Sequence, residues 1–189
     1  MSTPTVLTVC TGNVCRSPLL ERLLQRGVDR SHGAGRIEVR SAGTRALVGS
    51  GMDERSARLL VDLGGDHEGF RARRLTEEIV SGASLVLAAT PEHRSAVVQL
   101  HPRALRRTFT VQEFAHLVQA IPDDDLPSWD DPGAALERLT ERARQARAGA
   151  TRAVGDGLVD PFRQSDAVYD ELRQQVSEVL PPLSRALGC

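Results

Sequence analysis

Cys10 and Arg16 stand with five residues between them in the run VCTGNVCRSP, a thiol and a guanidinium spaced to meet around one oxyanion. If the loop between them curls, the successive backbone N–H groups of Thr11, Gly12, Asn13, Val14 and Cys15 form an anion nest, reinforced by the positive end of a following helix. Gly12 and Asn13 are residue types that tolerate the left-handed backbone such a curl needs. Arg16 grips two phosphoryl oxygens in a fork that lysine cannot copy, and stabilises the equatorial oxygens of a transferring phosphoryl group. A cysteine aimed into this nest is favoured as the thiolate. Cys10 is then a nucleophile that takes the phosphoryl group and leaves a phosphocysteine to be hydrolysed. The hydroxyl of Ser17 is placed to donate to that sulfur. The spacing alone arises often by chance and suits several oxyanion chemistries, so its setting decides.

That setting is strand, tight loop, helix. Thr5 to Cys10 is a β-branched apolar run, and the leucines at 19, 20, 23 and 24 repeat at helical spacing. Ser17 reads as the cap of that helix, with Pro18 in its first turn. Arg36–Thr44 alternates like a second strand, and Asp53–Gly65 reads as a helix opened by Asp53 and stopped by glycine. Ser84–Thr90 is a continuous apolar run of the doubly covered kind, followed by a helix from Pro91 to Leu100. A fourth strand is expected at Arg107–Thr110, and helices at Val111–Ala120, Ala135–Ala150 and Ser165–Leu183, the last ending near Pro181. This alternation predicts an α/β fold: three α/β/α layers around a central four-stranded parallel twisted sheet, with the phosphate loop after the first strand. Ligands in such sheets lie at the carboxyl ends of strands, where Cys10 is.

The 189 residues suit one domain, and 40% hydrophobic content is enough for a core without staples. With a net charge of −1, no overall field favours nucleic acid or anionic membrane, so neither is expected as a partner. No basic, apolar leader opens the sequence and no long apolar run interrupts it, so a cytoplasmic location without membrane insertion is expected. All positive side chains of Lys/Arg type are arginines, a usage that hints at a GC-rich bacterial genome. Three cysteines do not make a secreted disulfide framework. The five histidines show no metal-ligand spacing, so neither metal nor cofactor is expected, and His93 reads as the solvent face of a helix.

The run VCTGNVCRSPLLE after an N-terminal strand resembles the signature of low-molecular-weight protein tyrosine phosphatases of bacterial type. In that family an Asp-Pro-aromatic element late in the chain supplies the general acid, which the resemblance assigns here to Asp160 of Asp160-Pro161-Phe162. The chemical need is plain, since a tyrosyl phenolate has a pKa of ~10 and a carboxyl beside it is worth ~10²- to 10⁴-fold. Asp131-Pro132 competes for that role but precedes glycine. The resemblance also implies that Ser41 steadies Asn13, that Leu47 and Phe162 line the mouth of the site, that Arg73 is structural, and that Cys15 guards Cys10 through a reversible disulfide. RALVG at Arg45–Gly49 is similar to members acting opposite bacterial tyrosine kinases, so the expected partner is a tyrosine-phosphorylated protein, such a kinase or its targets.

The likeness runs from Val6 to about Thr110 and from Val159 to Leu180, leaving an insert at roughly 111–157 before the general-acid loop within one phosphatase domain, 1–189. Phe70, Thr90 and Arg163 depart from the family pattern. Trp129 and Asp123–Asp125 read as insert surface, or as an acidic flap near the site. Cys189 reads as an incidental thiol on a frayed end. The rival readings are an arsenate reductase of the same fold using an external thiol, and an inactive phosphotyrosine-binding module.

Overall fold

The computed structural model describes residues 3–149 and 157–189. Four strands, β1 (Thr5–Cys10), β2 (Glu38–Gly43), β3 (Leu85–Ala88) and β4 (Thr108–Thr110), pair in parallel in the order β2-β1-β3-β4. The central strands are apolar on both sides because both sides are covered. Val6, Leu85, Leu87 and Phe109 face a large core built with α1 (Arg16–His32) and α7 (Asp166–Ala186). Leu7, Val9 and Val86 face a smaller one, closed by Val80 of α3 (Glu77–Ser81) and Val97 of α4 (Pro91–Leu100). These are the three layers expected from the alternation of elements. Strand boundaries fall one or two residues inside the expected ones, at Glu38, Leu85 and Thr108.

α2 (Glu54–Asp62) is opened as expected by Asp53, whose carboxylate accepts from the amides of Arg55 and Ser56. α1 differs from expectation. It begins at Arg16 with Cys15 in the cap position and no side-chain cap, and Ser17 lies inside it. The Ser17 hydroxyl is engaged elsewhere, by Cys10 and Asn13. The closing helix also differs, running to Ala186 through Pro181 and Pro182. Each proline removes one helical N–H, and the carbonyls so freed, on Ser177 and Glu178, lie on the exposed side of the helix, open to solvent. Buried Leu183 and Ala186 hold the continuation against the core.

The segment after β4 forms α5 (Val111–Gln119), started by a reciprocal capping box between Thr110 and Glu113, and α6 (Pro132–Gly149). The expected helical end at Ala150 and the rest of the insert to 156 lie outside the described residues. Leu136, Leu139 and Ala143 of α6 are fully buried in the same core as α1 and α7, and Phe109 meets Phe114 edge-on at 5.0 Å. Arg147 of α6 stacks on Phe109, and it donates to the Thr108 carbonyl at 3.1 Å beside a second bond from Arg94 at 3.2 Å. On the opposite side of the sheet, Gln25 of α1 donates to the Ile37 carbonyl and accepts from the Val39 amide.

Three surface expectations need correction. Trp129 is partly buried against the core, its ring 5.2 Å from His32. The acidic run is not a flap over the site: Asp123 is held by Arg185 at the far end of α7, and a helix of 21 residues spans about 30 Å. Cys189 is not on a loose end, since its amide donates to the Ser184 carbonyl and its sulfur packs on Gly27, where an added Cβ would come within 2.9 Å.

Candidate active site

The loop leaving β1 is shaped by bonds that pull its carbonyls outward. Those of Cys10, Thr11, Gly12 and Val14 accept from the amides of Thr44, Arg45, Leu47 and Asp53 respectively, at 2.9 to 3.0 Å. Among the described residues, the amides of Thr11 to Cys15 donate to no protein group. The loop thus presents a row of unspent donors. The flanking strand must come very close to achieve this, and Gly43 permits it: a Cβ there would meet the Thr11 carbonyl at 2.5 Å. The curl turns at Asn13, which sits at φ 55°. Its buried side chain repays that strain with three bonds, donating to Ser17 at 3.0 Å and Ser41 at 2.7 Å and accepting from the Arg73 amide at 2.8 Å. Ser41 in turn donates to Glu21 at 2.5 Å, whose carboxyl burial pushes above its usual range.

The Cys10 sulfur lies 2.9 Å from the Ser17 hydroxyl. Because Ser17 already accepts from Asn13, its own proton is free for the sulfur. Cys15, next to it in the loop, is a different kind of thiol: burial pushes it up to about 12, against the pull of the neighbouring Ser56 hydroxyl. Arg16 is buried, with one terminal nitrogen on the Leu158 carbonyl at 3.1 Å, the other 2.7 Å from Asp160, and its Nε without a partner among the described residues.

Asp160 arrives from the far end of the sequence because the chain before it is docked onto the sheet. The Leu158 amide donates to the Ala89 carbonyl beyond β3, and Val159 donates to Gln175 of α7. Gly157, at φ 101°, lies so close to Ala89 that a side chain would collide. Asp131, the competing candidate, instead accepts from the Ala134 amide at the start of α6 and does not reach the loop.

Cys10, Thr11, Gly12, Val14, Cys15 and Arg16 form the floor of a cavity of about 140 Å³, and Arg45, Leu47, Asp160 and Phe162 form its walls. Asn13, Ser17 and Ser41 lie behind this floor and buttress it. A larger groove of about 970 Å³ beside α2 and α7 is lined by no cysteine or serine, and two of its arginines, Arg55 and Arg173, are paired with Asp166 and Asp62. Among the described residues no group of three or more His, Cys, Asp or Glu is arranged to hold a metal.

Sequence reasoning overlooked two residues here. Arg45 lies in a segment singled out only for its apolar neighbour Leu47. His93, expected on a solvent face, is buried, with Nε2 2.8 Å from the Thr11 hydroxyl and Nδ1 2.8 Å from that of Thr90. Burial, and then the nearby Arg16, lowers its imidazole to about 4, so it is neutral at physiological pH.

The sequence pattern of low molecular weight phosphotyrosine protein phosphatases matches residues 5–128. This chain belongs to the low-molecular-weight protein tyrosine phosphatase family. It is a hydrolase. Its relatives include the Escherichia coli K12 phosphatase Etp, 35% identical over 125 residues, which cover 66% of this chain and 80% of Etp. They also include a protein-arginine-phosphatase of Geobacillus stearothermophilus, 36% identical over 109 residues, covering 58% of this chain and 70% of the relative. The solved YwlE arginine phosphatase of that organism superposes with a TM-score of 0.69 at 27% identity, over 97% of this chain and 92% of its own. The tyrosine phosphatase Wzb from Escherichia coli K30, solved with sulphate, shares the fold over the whole of both chains, with a TM-score of 0.68 at 24% identity.

Proposed function

We propose that this phosphatase hydrolyses phosphotyrosine in proteins through a phosphocysteine at Cys10. The observation that carries the reading is the row of unspent amides from Thr11 to Cys15, closed by the buried Arg16 with its unpartnered Nε, around one sulfur. A phosphoryl dianion entering this bowl is held by the amides and by the Arg16 fork. The Cys10 thiolate attacks phosphorus as the aryl oxygen leaves, and Asp160 passes its proton to that oxygen. Asp160, then a carboxylate, takes a proton from the water that attacks the phosphocysteine. Inorganic phosphate departs, and the Ser17 hydroxyl receives the restored thiolate. Cys15, a neutral thiol beside the nucleophile, is placed to condense with an oxidised Cys10 and protect it.

The walls favour an aryl group. Leu47 and Phe162 offer apolar surface at the mouth and Val14 below them, and the charges of the cavity are two arginines and one carboxylate already facing Arg16. The cationic leaving group of phosphoarginine would meet Arg45 without a free anion. The arginine phosphatases among the relatives nonetheless make phosphoarginine the second reading. Arsenate reduction would leave Asp160 without a task. As a phosphatase of proteins, this chain has tyrosine-phosphorylated proteins, bacterial tyrosine kinases or their targets among them, as its partners, and we place it in the cytoplasm. No helix among the described residues is long and apolar enough to cross a membrane.

Parallel assays on a phosphotyrosine peptide and on the same peptide with phosphoarginine test the substrate. A kcat/KM higher for phosphotyrosine, abolished in Cys10→Ser, is expected. A preference for phosphoarginine would replace this reading with the second.

A further inference from the structure

The bonds around His93 form a chain whose direction is fixed at both ends. Glu92 is exposed, and a bond from Thr90 holds its carboxyl below the usual range, so at neutral pH it only accepts. The Thr90 hydroxyl has a single proton, and it lies 2.6 Å from the Glu92 carboxylate. Its oxygen must then accept from His93 Nδ1–H at 2.8 Å. A neutral imidazole carrying its proton on Nδ1 has a bare Nε2, which accepts from the Thr11 hydroxyl at 2.8 Å. The Thr11 oxygen, its proton committed, is left to accept from the Arg16 guanidinium at 3.4 Å. Every donor points the same way, from the buried arginine outward to Glu92.

We propose that His93 is a positioning residue that turns the Thr11 hydroxyl away from the phosphoryl bowl and so fixes Arg16 in its clamping orientation. This rests on the reading of Arg16 as the phosphate clamp. Without His93 the Thr11 proton would be free to rotate toward Arg16, where it repels the guanidinium rather than receiving it.

Nitrogen-15 NMR of the histidine-labelled protein at pH 7 reads the chain directly. Protonated Nδ1 and bare Nε2 at His93 are expected, and the opposite tautomer overturns the proposal. His93→Ala is expected to lower kcat by about 10- to 100-fold, the scale of a small misplacement of a catalytic group, and to weaken binding of inorganic phosphate in calorimetry. His93→Gln, which keeps an acceptor for Thr11, should recover most of the loss. A fall in thermal stability with kcat and phosphate affinity of the folded protein within about twofold of wild type would reduce His93 to a core residue and overturn the proposal. Thr11→Val, which removes the donor while keeping the shape, serves if His93→Ala does not fold, and should move the His93 Nε2 resonance and lower kcat to a similar degree. Where both fold, the double variant should be no worse than either single one, whereas losses that multiply would overturn the shared chain. If the wild-type protein cleaves no phosphoester yet binds phosphate in a His93-dependent way, the functional reading fails and this one stands.

Discussion

The guanidinium of Arg16 and the carboxylate of Asp160 meet at 2.7 Å, one buried and the other half exposed. A phosphoryl group competing for the same guanidinium frees Asp160 at the moment an acid is needed at the leaving oxygen. Asp160→Asn is therefore expected to slow hydrolysis of phenyl phosphate by ~10²- to 10⁴-fold, and that of p-nitrophenyl phosphate, whose leaving group needs less help, by clearly less. Asp131→Asn should leave both within about twofold. Steady-state kinetics on the two esters check the assignment, and equal losses for Asp131 and Asp160 would defeat it.

The two loop cysteines should be chemically distinct. Cys15 is pushed up to about 12, so from pH 6 to 9 it stays overwhelmingly the thiol, and raising pH across that range does not activate it. Iodoacetate at pH 7 should carboxymethylate Cys10, with inorganic phosphate protecting it, while Cys15 stays unmodified, as read by peptide mass spectrometry. Modification of Cys15 first would contradict the arrangement.

Asn13 carries both a strained backbone and three buried bonds. Asn13→Ala should destabilise the protein by about 1–3 kcal/mol, the scale of leaving buried polar partners unpaired. Asn13→Gly loses the same bonds but accepts the positive φ, and should be about 1 kcal/mol less harmful. Denaturant unfolding of the pair separates the two contributions; identical losses would mean the backbone conformation costs nothing.

Residues 111–149 are expected to unfold together with the sheet. Leu136 is fully buried in the main core, so Leu136→Ala should cost about 2–5 kcal/mol of the whole protein's stability. The transition should remain single whether followed at Trp129 or by far-ultraviolet circular dichroism. An early, separate loss of the Trp129 signal would make residues 111–149 an independent unit.

The phosphate loop was legible because its chemistry is local: Cys10, Gly12, Asn13 and Arg16 lie within one turn of chain, between a strand and a helix that each announce themselves. That the sheet is parallel and covered on both faces followed from the alternation of elements. What escaped was non-local. Ser17 looks like a helix cap in sequence, but the sulfur of Cys10 lies across from it and takes the hydroxyl. His93 looks like a surface residue on a polar helix, because nothing along the chain shows that the end of β3 abuts the phosphate loop. Pro181 and Pro182 look like a stop, yet the helix is held beyond them by Leu183 and Ala186. The acidic run Asp123–Asp125 gives no sign of its distance from the site along the chain, since Arg185 at the far end of α7 holds it.

The arginine and glutamine side chains laid along the two outer strands have a colloidal meaning. A parallel sheet of four strands leaves two open borders, each a template for another chain to add on. Arg94 and Arg147 occupy the Thr108 carbonyl on one border, and Gln25 occupies Ile37 and Val39 on the other. Since Arg147 comes from α6, that helix is also a guard against self-association, and a chain lacking it would expose β4 to its neighbours in solution.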